Sequence, residues 1–455
     1  MDHPTRGTAA GHGQPFDPVP YLRGLRRTID EQRLEFILTR SRKRQRRKRR
    51  LVASSVVWLV IAMSLFATHS IPQVWRCLHP HSDVPEPDES AFTKARRRLG
   101  VAVFRELFAA FAQPIASANT PGTFYRQWRL MGIDGTTFDM PDTPANERVF
   151  GRGGNQRSPN AFPQLRVLAL CELGTHAICD FALRPIHGSE QAMVPHLLRS
   201  LHPGMLLLWD RNFFGFDLVH SVLQRGCHLL ARVKTSQLVL AKHTVLPDGS
   251  YLTSIYASQY DRLHQRNGRV VRIIEYTHND PTRPGQGMLH RLLTDLLDPA
   301  ELPALDAACL YHERWEQELA FAEIKTHLNG RDVLLRSKRP RGVVQELYGL
   351  FLAHRIVRQV MLEAAGTENL DPDRLSFTNS LRILQNHLPE APTVSVAEWY
   401  KRLVSEIARQ KLRARRNRWY PRVVKRKMKK WDKKRPKHRH PPQPSKVFAE
   451  SVVIT

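Results

Sequence analysis

Two aspartates follow apolar runs that are typical of buried strands. Asp134 comes directly after Leu130–Ile133, and Asp210 ends the run Met205–Trp209. Strand propensity disfavours aspartate and therefore explains neither residue. A carboxylate at the end of a central strand sits on a rigid scaffold and can bind a divalent cation where the strand meets solvent. Either aspartate alone could be an ordinary strand-end residue, but the two together predict a site.

A third carboxylate is expected from the helical segment that starts near Pro303 and contains YHERWEQELAFAEIKTHL. With about 100° per residue, four side chains of this helix share an arc of about 60°. They are Tyr311, Arg314, Glu318 and Lys325. The other glutamates of the segment point roughly 120–200° away. The alternative is a plain Arg–Glu salt bridge on a solvated helix face.

Three carboxylates that converge from different elements can hold two Mg²⁺ ions about 3.5–4 Å apart, which is the arrangement used for phosphoryl transfer. We therefore predict Asp134, Asp210 and Glu318 as catalytic residues and metal ligands, with two Mg²⁺ or Mn²⁺ ions as cofactors. Arg314 and Lys325 would hold phosphates beside them, Arg314 in bidentate fashion.

Other acidic residues are weaker candidates for metal ligands. Asp139 and Asp142 lie past the strand end in a proline-containing segment. Glu172 and Asp180 flank a predicted hairpin turn at Gly174, and we expect both to face solvent.

The charge balance predicts a polyanionic partner. Lys and Arg number 70 against 42 Asp and Glu, which gives a net charge of +28 and a pI near 10.5. Phosphate contacts by these cations release condensed counterions, so nucleic acid is the leading partner and an anionic membrane surface the second. The five cysteines have no C-x-x-C spacing, which suggests neither a zinc site nor a disulfide framework and fits a reducing, intracellular setting.

An apolar run at residues 51–67 follows the basic stretch RKRQRRKRR and resembles a membrane anchor. The run is shorter than the ~20 residues needed to cross a bilayer, and it includes serines. It also starts too late for a secretory signal. We therefore predict a core helix, no membrane partner, and a cytoplasmic, nucleoid-associated protein.

Composition and periodicity divide the chain into parts. Residues 1–28 are predicted to be disordered, and residues 29–120 to form a helical N-terminal DNA-binding domain. Residues 121–365 alternate strands and helices, which predicts an α/β catalytic domain with a β-rich insertion at about 236–300. Residues 366–410 are predicted to be helical.

Two basic segments are candidate DNA contacts. One is a helix with a basic face in the N-terminal domain, and the other is residues 411–455, predicted to be a basic disordered tail. The weaker DNA-binding candidates are Arg96, Arg97, Arg98, Arg415, Arg416, Lys425, Arg426 and Lys427. Solvated helix faces and a nonspecific solubility tail are the alternatives.

The motifs resemble a known family. The order Tyr-x2-Arg-x3-Glu-x6-Lys, matched from Tyr311 to Lys325, is similar to the signature of the DDE transposases of the insertion-sequence-four type. Asp134 in IDGTTFDMPDT resembles the first aspartate of that family, and Asp210 in LLLWDRNFF the second. The resemblance extends over about residues 30–425.

The resemblance implies a fold and a reaction. The fold is a ribonuclease H-like catalytic core with a β-rich insertion between the second aspartate and the glutamate, preceded by a helical N-terminal domain. The reaction is hydrolytic nicking at transposon ends, bound through their terminal inverted repeats, followed by transfer of the 3′-OH into target DNA. Tyr311, Arg314 and Lys325 are implied to contact DNA phosphates. The implied partners are double-stranded DNA, as transposon ends and target, and a second copy of the chain in a homodimer.

Two other functions stay open at this point. One is a catalytically inactive DNA-binding protein derived from a transposase, which would show no Mn²⁺-dependent thermal shift. The other is a membrane-anchored basic protein that uses residues 51–67, which would stay with the membrane pellet after carbonate washing.

Overall fold

The computed structural model describes residues 29–44, 51–79, 86–155, 158–233, 241–283, 285–328, 335–388, 395–412, 423–424, 432–433, 435, 438 and 442–455. The predicted disordered segment 1–28 lies outside the described residues. So do the five candidate DNA contacts of the tail, Arg415, Arg416, Lys425, Arg426 and Lys427.

Five helices precede the sheet: α1 (Glu31–Arg40), α2 (Ala53–Leu65), α3 (Ile71–Leu78), α4 (Glu89–Leu99) and α5 (Ala102–Phe111). Side chains cap two of them. The Asp30 carboxylate accepts a hydrogen bond from the backbone N–H of Gln32 at the start of α1, and Ser70 and Gln73 form a reciprocal capping box at the start of α3.

Helix α2 lies inside the apolar run at residues 51–67. All but one of its 13 residues are buried against other helices, as expected for a core helix. Among the described residues, no helix is both long enough and apolar enough to span a bilayer.

A mixed sheet forms the centre of the fold. Its first seven strands are β1 (Phe124–Tyr125), β2 (Trp128–Asp139), β3 (Arg152–Asn155), β4 (Ser158–Glu172), β5 (Ala177–Pro185), β6 (Met205–Trp209) and β7 (His228–Arg232). Strands β5, β4 and β2 pair antiparallel in that order, and β6 and β7 continue beyond β2 in parallel. All five residues of β6 are buried, as expected for a central strand that is covered on both faces.

Short helices connect these strands. Helix α6 (Pro144–Phe150) follows β2, while α7 (Val194–Leu197) and α8 (Phe216–Leu223) follow β5 and β6. Apolar residues of α7 and α8 pack against one face of the sheet, where they bury alternate residues of β2 and β6.

The predicted insertion contains β8 (Thr244–Val245), β9 (Tyr251–Ile255), a short helix α9 (Gln259–Leu263), β10 (Arg269–His278) and β11 (His290–Thr294). These strands extend the central sheet, because β11 pairs with β7 and β10 pairs with β11. The core and the insertion therefore share one hydrogen-bonded layer.

The remaining helices are α10 (Ala304–His312), α11 (Trp315–Ala322), α12 (Pro340–Thr367), α13 (Phe377–His387) and α14 (Val396–Ala408). The segment from Pro303 onward is thus not one regular helix. Residues 313 and 314 form a turn between α10 and α11, and a π-helical turn, Glu323–Leu328, continues α11.

The first and the last helices, which belong to the predicted parts 29–120 and 366–410, share one hydrophobic core. Helices α1–α5 and α12–α14 contribute to the same buried cluster. Phe351 of α12 packs on Phe181 of β5, with ring centroids 4.6 Å apart, so this helical layer covers the second face of the sheet. The two segments are joined because α12 is buried on most of its sides and needs partners from both.

Residues 442–455 correct the prediction of a disordered tail over 411–455. Helix α15 (Phe448–Ser451) leads into β14 (Val452–Ile454), which pairs antiparallel with β10. Asp280 accepts hydrogen bonds from the Ser445 hydroxyl at 2.8 Å and the Lys446 backbone N–H at 3.1 Å. This segment can dock on the sheet because its only charged side chains are Lys446 and Glu450, in contrast to the basic stretch before it. Within that stretch, β12 (Val423–Val424) pairs in parallel with β13 (Asp432–Lys433).

Replacing Gly349 with alanine is expected to destabilise the fold. An added Cβ would lie 2.8 Å from the backbone oxygen of Val60, so α12 and α2 would have to separate. Overpacking of this kind costs about 1–3 kcal/mol, and the thermal unfolding midpoint should fall. The matched control is Gly366→Ala in the same helix, where nothing lies within 4 Å of the added carbon. The control should keep or raise the midpoint, because alanine favours helix over glycine. Equal shifts for the two variants would contradict this packing.

Candidate active site

Parallel pairing of β2 with β6 places two of the predicted carboxylates side by side. Ile133 pairs with Trp209, the last residue of β6, so Asp134 and Asp210 lie side by side where β6 ends. The prediction that Asp134 stands at a strand end is wrong, because β2 continues to Asp139 in its pairing with β4. Neighbouring strands are about 4.8 Å apart. Asp134 Oδ1 accepts a hydrogen bond from the Gly135 N–H at 2.8 Å, and Asp210 Oδ1 accepts one from the Arg211 N–H at 2.7 Å.

The third carboxylate belongs to a helix that lies close to β2. Gly132 on β2 permits this approach, because a Cβ there would come within 2.4 Å of Gln317 Oε1. Gln317 is fully buried and donates from Nε2 to the backbone oxygen of Ala169 on β4 at 2.9 Å. The residue after Gln317 is Glu318, which is therefore held near the strand ends. Sequence reasoning missed both Gly132 and Gln317, because the contact between them is tertiary.

Arg314 lies between the first and the third carboxylate. Its Nη1 is 3.5 Å from Asp134 Oδ2, and its Nη2 is 3.4 Å from Glu318 Oε1. The Arg314 side chain is 16% exposed, so this guanidinium is the positive charge that faces the carboxylates from within the site. The structure thus brings Asp134, Asp210, Arg314 and Glu318 together.

The electrostatics of the site disfavour ionisation of Asp134. Burial raises the pKa of this carboxyl to about 6, and the charges of Glu318 and Asp210 add to the rise, although Arg314 and the Gly135 N–H oppose it. The site is therefore short of positive charge. Oxygen donors with unbalanced negative charge are what hard divalent cations require, so the residues present fit such ions.

The other two signature residues face the same region. Lys325 Nζ donates to Thr136 Oγ1 on β2 at 2.9 Å. Tyr311 is 8% exposed, and its hydroxyl donates to the backbone oxygen of Trp209 at 3.3 Å. Burial raises the pKa of the Tyr311 phenol, which is therefore a hydrogen-bond donor at neutral pH.

The backbone of this helical segment departs from α geometry on both sides of Glu318. Hydrogen bonds from the Arg314 N–H to the Tyr311 oxygen and from the Gln317 N–H to the Arg314 oxygen close tight three-residue turns. The π-helical turn after α11 is wider. Tight and wide turns inside a helix often mark functional sites.

The three basic residues predicted on α4 do not share one role. Arg96 is 8% exposed, and its guanidinium pairs with Glu346 at 3.1 Å, so it is a buried structural residue and its prediction as a DNA contact is wrong. Arg97 and Arg98 are exposed.

The prediction that Glu172 and Asp180 face solvent is also wrong. Glu172 is fully buried and accepts hydrogen bonds from the backbone N–H groups of Ile115 and Ala116. Asp180 is 5% exposed and pairs with Arg199 at 2.8 Å. Both carboxylates hold other segments of the chain in place, through contacts with residues that are not adjacent in the sequence.

Asp134→Asn is expected to raise the thermal unfolding midpoint at pH 8 in the presence of a chelator. The pKa of Asp134 is about 6 in the fold against 3.8 ordinarily, so the folded chain holds this proton more tightly than the unfolded chain. Its ionisation therefore removes stability as the pH rises from 3.8 to about 6. The advantage of the variant should grow over that window and then stay level. Asp217→Asn, at an exposed position on α8, is the control and should show no such trend. If the unfolding midpoint of Asp134→Asn is no higher than that of the wild type, or if the difference does not change with pH, the raised pKa of Asp134 is contradicted.

Two family models match the chain. The insertion element 4 transposase N-terminal model matches residues 21–109, and the transposase DDE domain model matches residues 129–356.

Individual relatives agree with these models. Transposase InsG for insertion sequence element IS4, from Escherichia coli (strain K12), is 30% identical over 397 residues, which cover 83% of this chain and 86% of the relative. Putative transposase InsZ of the same strain is 27% identical over 219 residues, which cover 47% of this chain and 72% of the relative. A solved structure of a piggyBac transposase synaptic complex with hairpin DNA aligns with a TM-score of 0.43 and 13% identity, over 86% of this chain and 85% of that one.

The matches confirm the family resemblance and the transposase function. The mixed sheet with helices on its faces and the helical N-terminal region agree with the predicted α/β fold class. Nothing in them favours the inactive alternative. The chain belongs to the DDE transposases of the insertion element 4 family.

Proposed function

We propose that this transposase uses Asp134, Asp210 and Glu318 to hold two Mg²⁺ ions, with which it cleaves DNA at the terminal inverted repeats of an insertion element and transfers the 3′-OH to target DNA. The observation that carries the proposal is the register of β2 and β6, which sets the two aspartates beside each other, with Arg314 reaching from Asp134 to Glu318.

Two ions rather than one are proposed from the chemistry of the reaction, because phosphoryl transfer develops charge on both an attacking and a leaving oxygen, and a pair of ions about 3.5–4 Å apart suits it. When bound, the ions activate the attacking oxygen and stabilise the leaving oxygen.

Arg314 has a second task in this proposal. Its guanidinium faces two carboxylates, and cations bound there would compete for the same oxygens. Arg314 would then turn to a DNA phosphate, which a planar guanidinium binds in bidentate fashion. Lys325, whose ammonium lies at Thr136 near the strand ends, would bind a neighbouring phosphate.

Tyr311 contributes in a different manner. Its hydroxyl is tied to the Trp209 carbonyl, one residue before Asp210, so its first task is to hold the end of β6 in place. A DNA phosphate that approaches Asp210 would reach the same phenol, which is the contact that the family signature implies.

The wider assembly follows from the reaction. Two ends of one element must be cut together, so we propose that the chain acts as a homodimer on double-stranded DNA, in the bacterial cytoplasm at the nucleoid. Arg97 and Arg98, which are exposed on α4, are proposed contacts for DNA outside the site.

Asp134→Asn, Asp210→Asn and Glu318→Gln are each expected to slow cleavage by at least about a hundredfold, because each loses a ligand to ions that supply several kcal/mol of charge stabilisation. The measurement is single-turnover cutting of a duplex that carries the terminal repeat, with Mg²⁺ or Mn²⁺. Asp217→Asn is the matched control and should cut at the wild-type rate. Wild-type cutting by any of the three variants would refute that assignment.

Lys325→Ala is expected to weaken binding to a pre-cut transposon end and to lower the salt slope of the affinity by about 0.9, the value for one lost phosphate contact. Binding is measured at several salt concentrations. Lys401→Ala, at an exposed position on α14, is the control and should leave the slope unchanged. If both variants keep the wild-type slope, Lys325 does not contact a phosphate.

A further inference from the structure

A buried group of charges lies on the other side of the helix that carries Glu318. We call it the buried charge network. It consists of His176, Glu316, Glu323, His354, Arg358 and Asp373, of which none is assigned to the reaction above.

One imidazole joins two points of the same helix. His176 Nε2 is 2.8 Å from Glu316 Oε2, and His176 Nδ1 is 3.0 Å from Glu323 Oε1. His176 is 1% exposed and lies at the turn between β4 and β5, in a left-handed conformation with φ of 56°. Because β4 pairs with β2, this contact ties the helix to the strand that carries Asp134.

The buried charge network and Glu318 lie on different faces of the helix, as helical periodicity requires. Glu316 and Glu323 are seven residues apart and therefore share a face, since seven steps of about 100° come within about 20° of two full turns. Glu318 is about 200° from Glu316, on the opposite face. One face of the helix is thus fixed to the protein, while the other presents the carboxylate to the site.

Glu323 is the most connected member of the network. It accepts a hydrogen bond from Arg358 Nε at 2.9 Å, and its Oε2 is 3.0 Å from His354 Nε2. Arg358 and His354 both belong to α12. Glu323 is also the first residue of the π-helical turn, so α12 holds the helix at the point where its geometry changes.

Asp373 completes the network from a 3-10 turn at Pro372–Arg374. Its Oδ1 is 3.2 Å from His176 Nε2 and 3.8 Å from Arg358 Nη1. Burial and Arg358 lower the pKa of His176, but Asp373 and Glu323 outweigh them and raise it to about 9. The imidazolium and the guanidinium thus balance most of the carboxylate charge.

A bound metal ion explains the network less well. The ligand atoms of His176, Glu316 and Asp373 lie within 4.8 Å of one another, which is close enough for one ion. However, Arg358 contacts His176 and lies near Asp373, so its positive charge would face the ion directly. Charge-assisted hydrogen bonds from His176 and Arg358 account for the contacts of the carboxylates without an ion.

We propose that the buried charge network positions the helix that carries Glu318 against the strands that carry Asp134 and Asp210, and so sets how tightly the three carboxylates bind metal ions. The proposal rests on the proposed catalytic role of these three carboxylates. His176 and Glu323 are positioning residues in it, since neither reaches the reacting atoms. In some proteins a buried ion pair specifies one geometry although it adds little stability, which is the role proposed here.

The test compares Glu323→Gln with Glu346→Gln in the full-length chain. Glu346 is the matched control, because it is 6% exposed and pairs with Arg96, away from the helix that carries Glu318. Both variants lose a buried ion pair and should lose thermal stability. Single-turnover cleavage is measured well below the unfolding midpoint, over a range of Mn²⁺ concentrations, together with affinity for the transposon end.

Glu323→Gln should lower the cleavage rate and the apparent Mn²⁺ affinity about 10–100-fold, as is usual for residues that orient metal ligands. High Mn²⁺ should restore part of the rate, and DNA affinity should fall less than the Mn²⁺ affinity, because the side chains that bind phosphate are themselves unchanged. Glu346→Gln should cut normally. If Glu323→Gln does not fold, His176→Gln, which removes one link to each carboxylate, carries the same expectation.

Normal Mn²⁺ dependence in the Glu323→Gln and His176→Gln proteins would overturn the inference, as would an equal loss of rate in Glu346→Gln. Glu318→Gln separates this failure from that of the proposed function. If Glu318→Gln is inactive while Glu323→Gln cuts normally, only the positioning role is wrong. If Glu318→Gln cuts normally, the carboxylate assignment is wrong and the positioning role falls with it.

Discussion

The parallel register between β2 and β6 is the constraint on which the site depends. Ile133 opposite Trp209 sets Asp134 and Asp210 side by side where β6 ends, although 75 residues separate them along the chain. Two carboxylates so close repel each other, and burial adds to the cost, as the raised pKa of Asp134 indicates. The ladder of buried strands on both sides holds them in place. The sheet therefore holds two carboxylates in an arrangement that is unfavourable by itself and becomes favourable when cations bind.

The helical segment after Tyr311 has two faces with different roles at this site. One face carries Arg314, Glu318 and Lys325 toward the strand ends, and the other is fixed by His176 and residues of α12. The helix changes from tight turns near Arg314 to wide turns after Glu323. Tight turns rotate the chain by more than 100° per residue and wide turns by less, so the two departures partly offset each other. The signature residues keep a common face for that reason.

The sequence allowed the signature residues to be identified because their pattern is local. An apolar run before an aspartate indicates a buried strand, and it marks the end of the strand for Asp210 but not for Asp134, since β2 continues to Asp139. Charged residues repeated along one helix face indicate a shared direction. Arg96 shows the opposite case: it lies in a basic helix that looks solvated, yet its partner Glu346 lies 250 residues away. His176, Glu172 and the docking of residues 442–455 were missed for the same reason. Each depends on contacts between distant segments, which neither composition nor periodicity encodes.

The pairing of β14 with β10 has a consequence for how the protein is made. Strand β14 pairs with Tyr276–His278 on the edge where β9 pairs with the start of β10. Ribosomes add about 5–20 residues per second, so this part of β10 waits for seconds before its partner has been synthesised. An unpaired strand edge can recruit a strand from another chain. Nascent chains on one messenger RNA are therefore most prone to exchange strands during that interval. Slower translation of the codons for the basic residues between β10 and β14 would lengthen the interval.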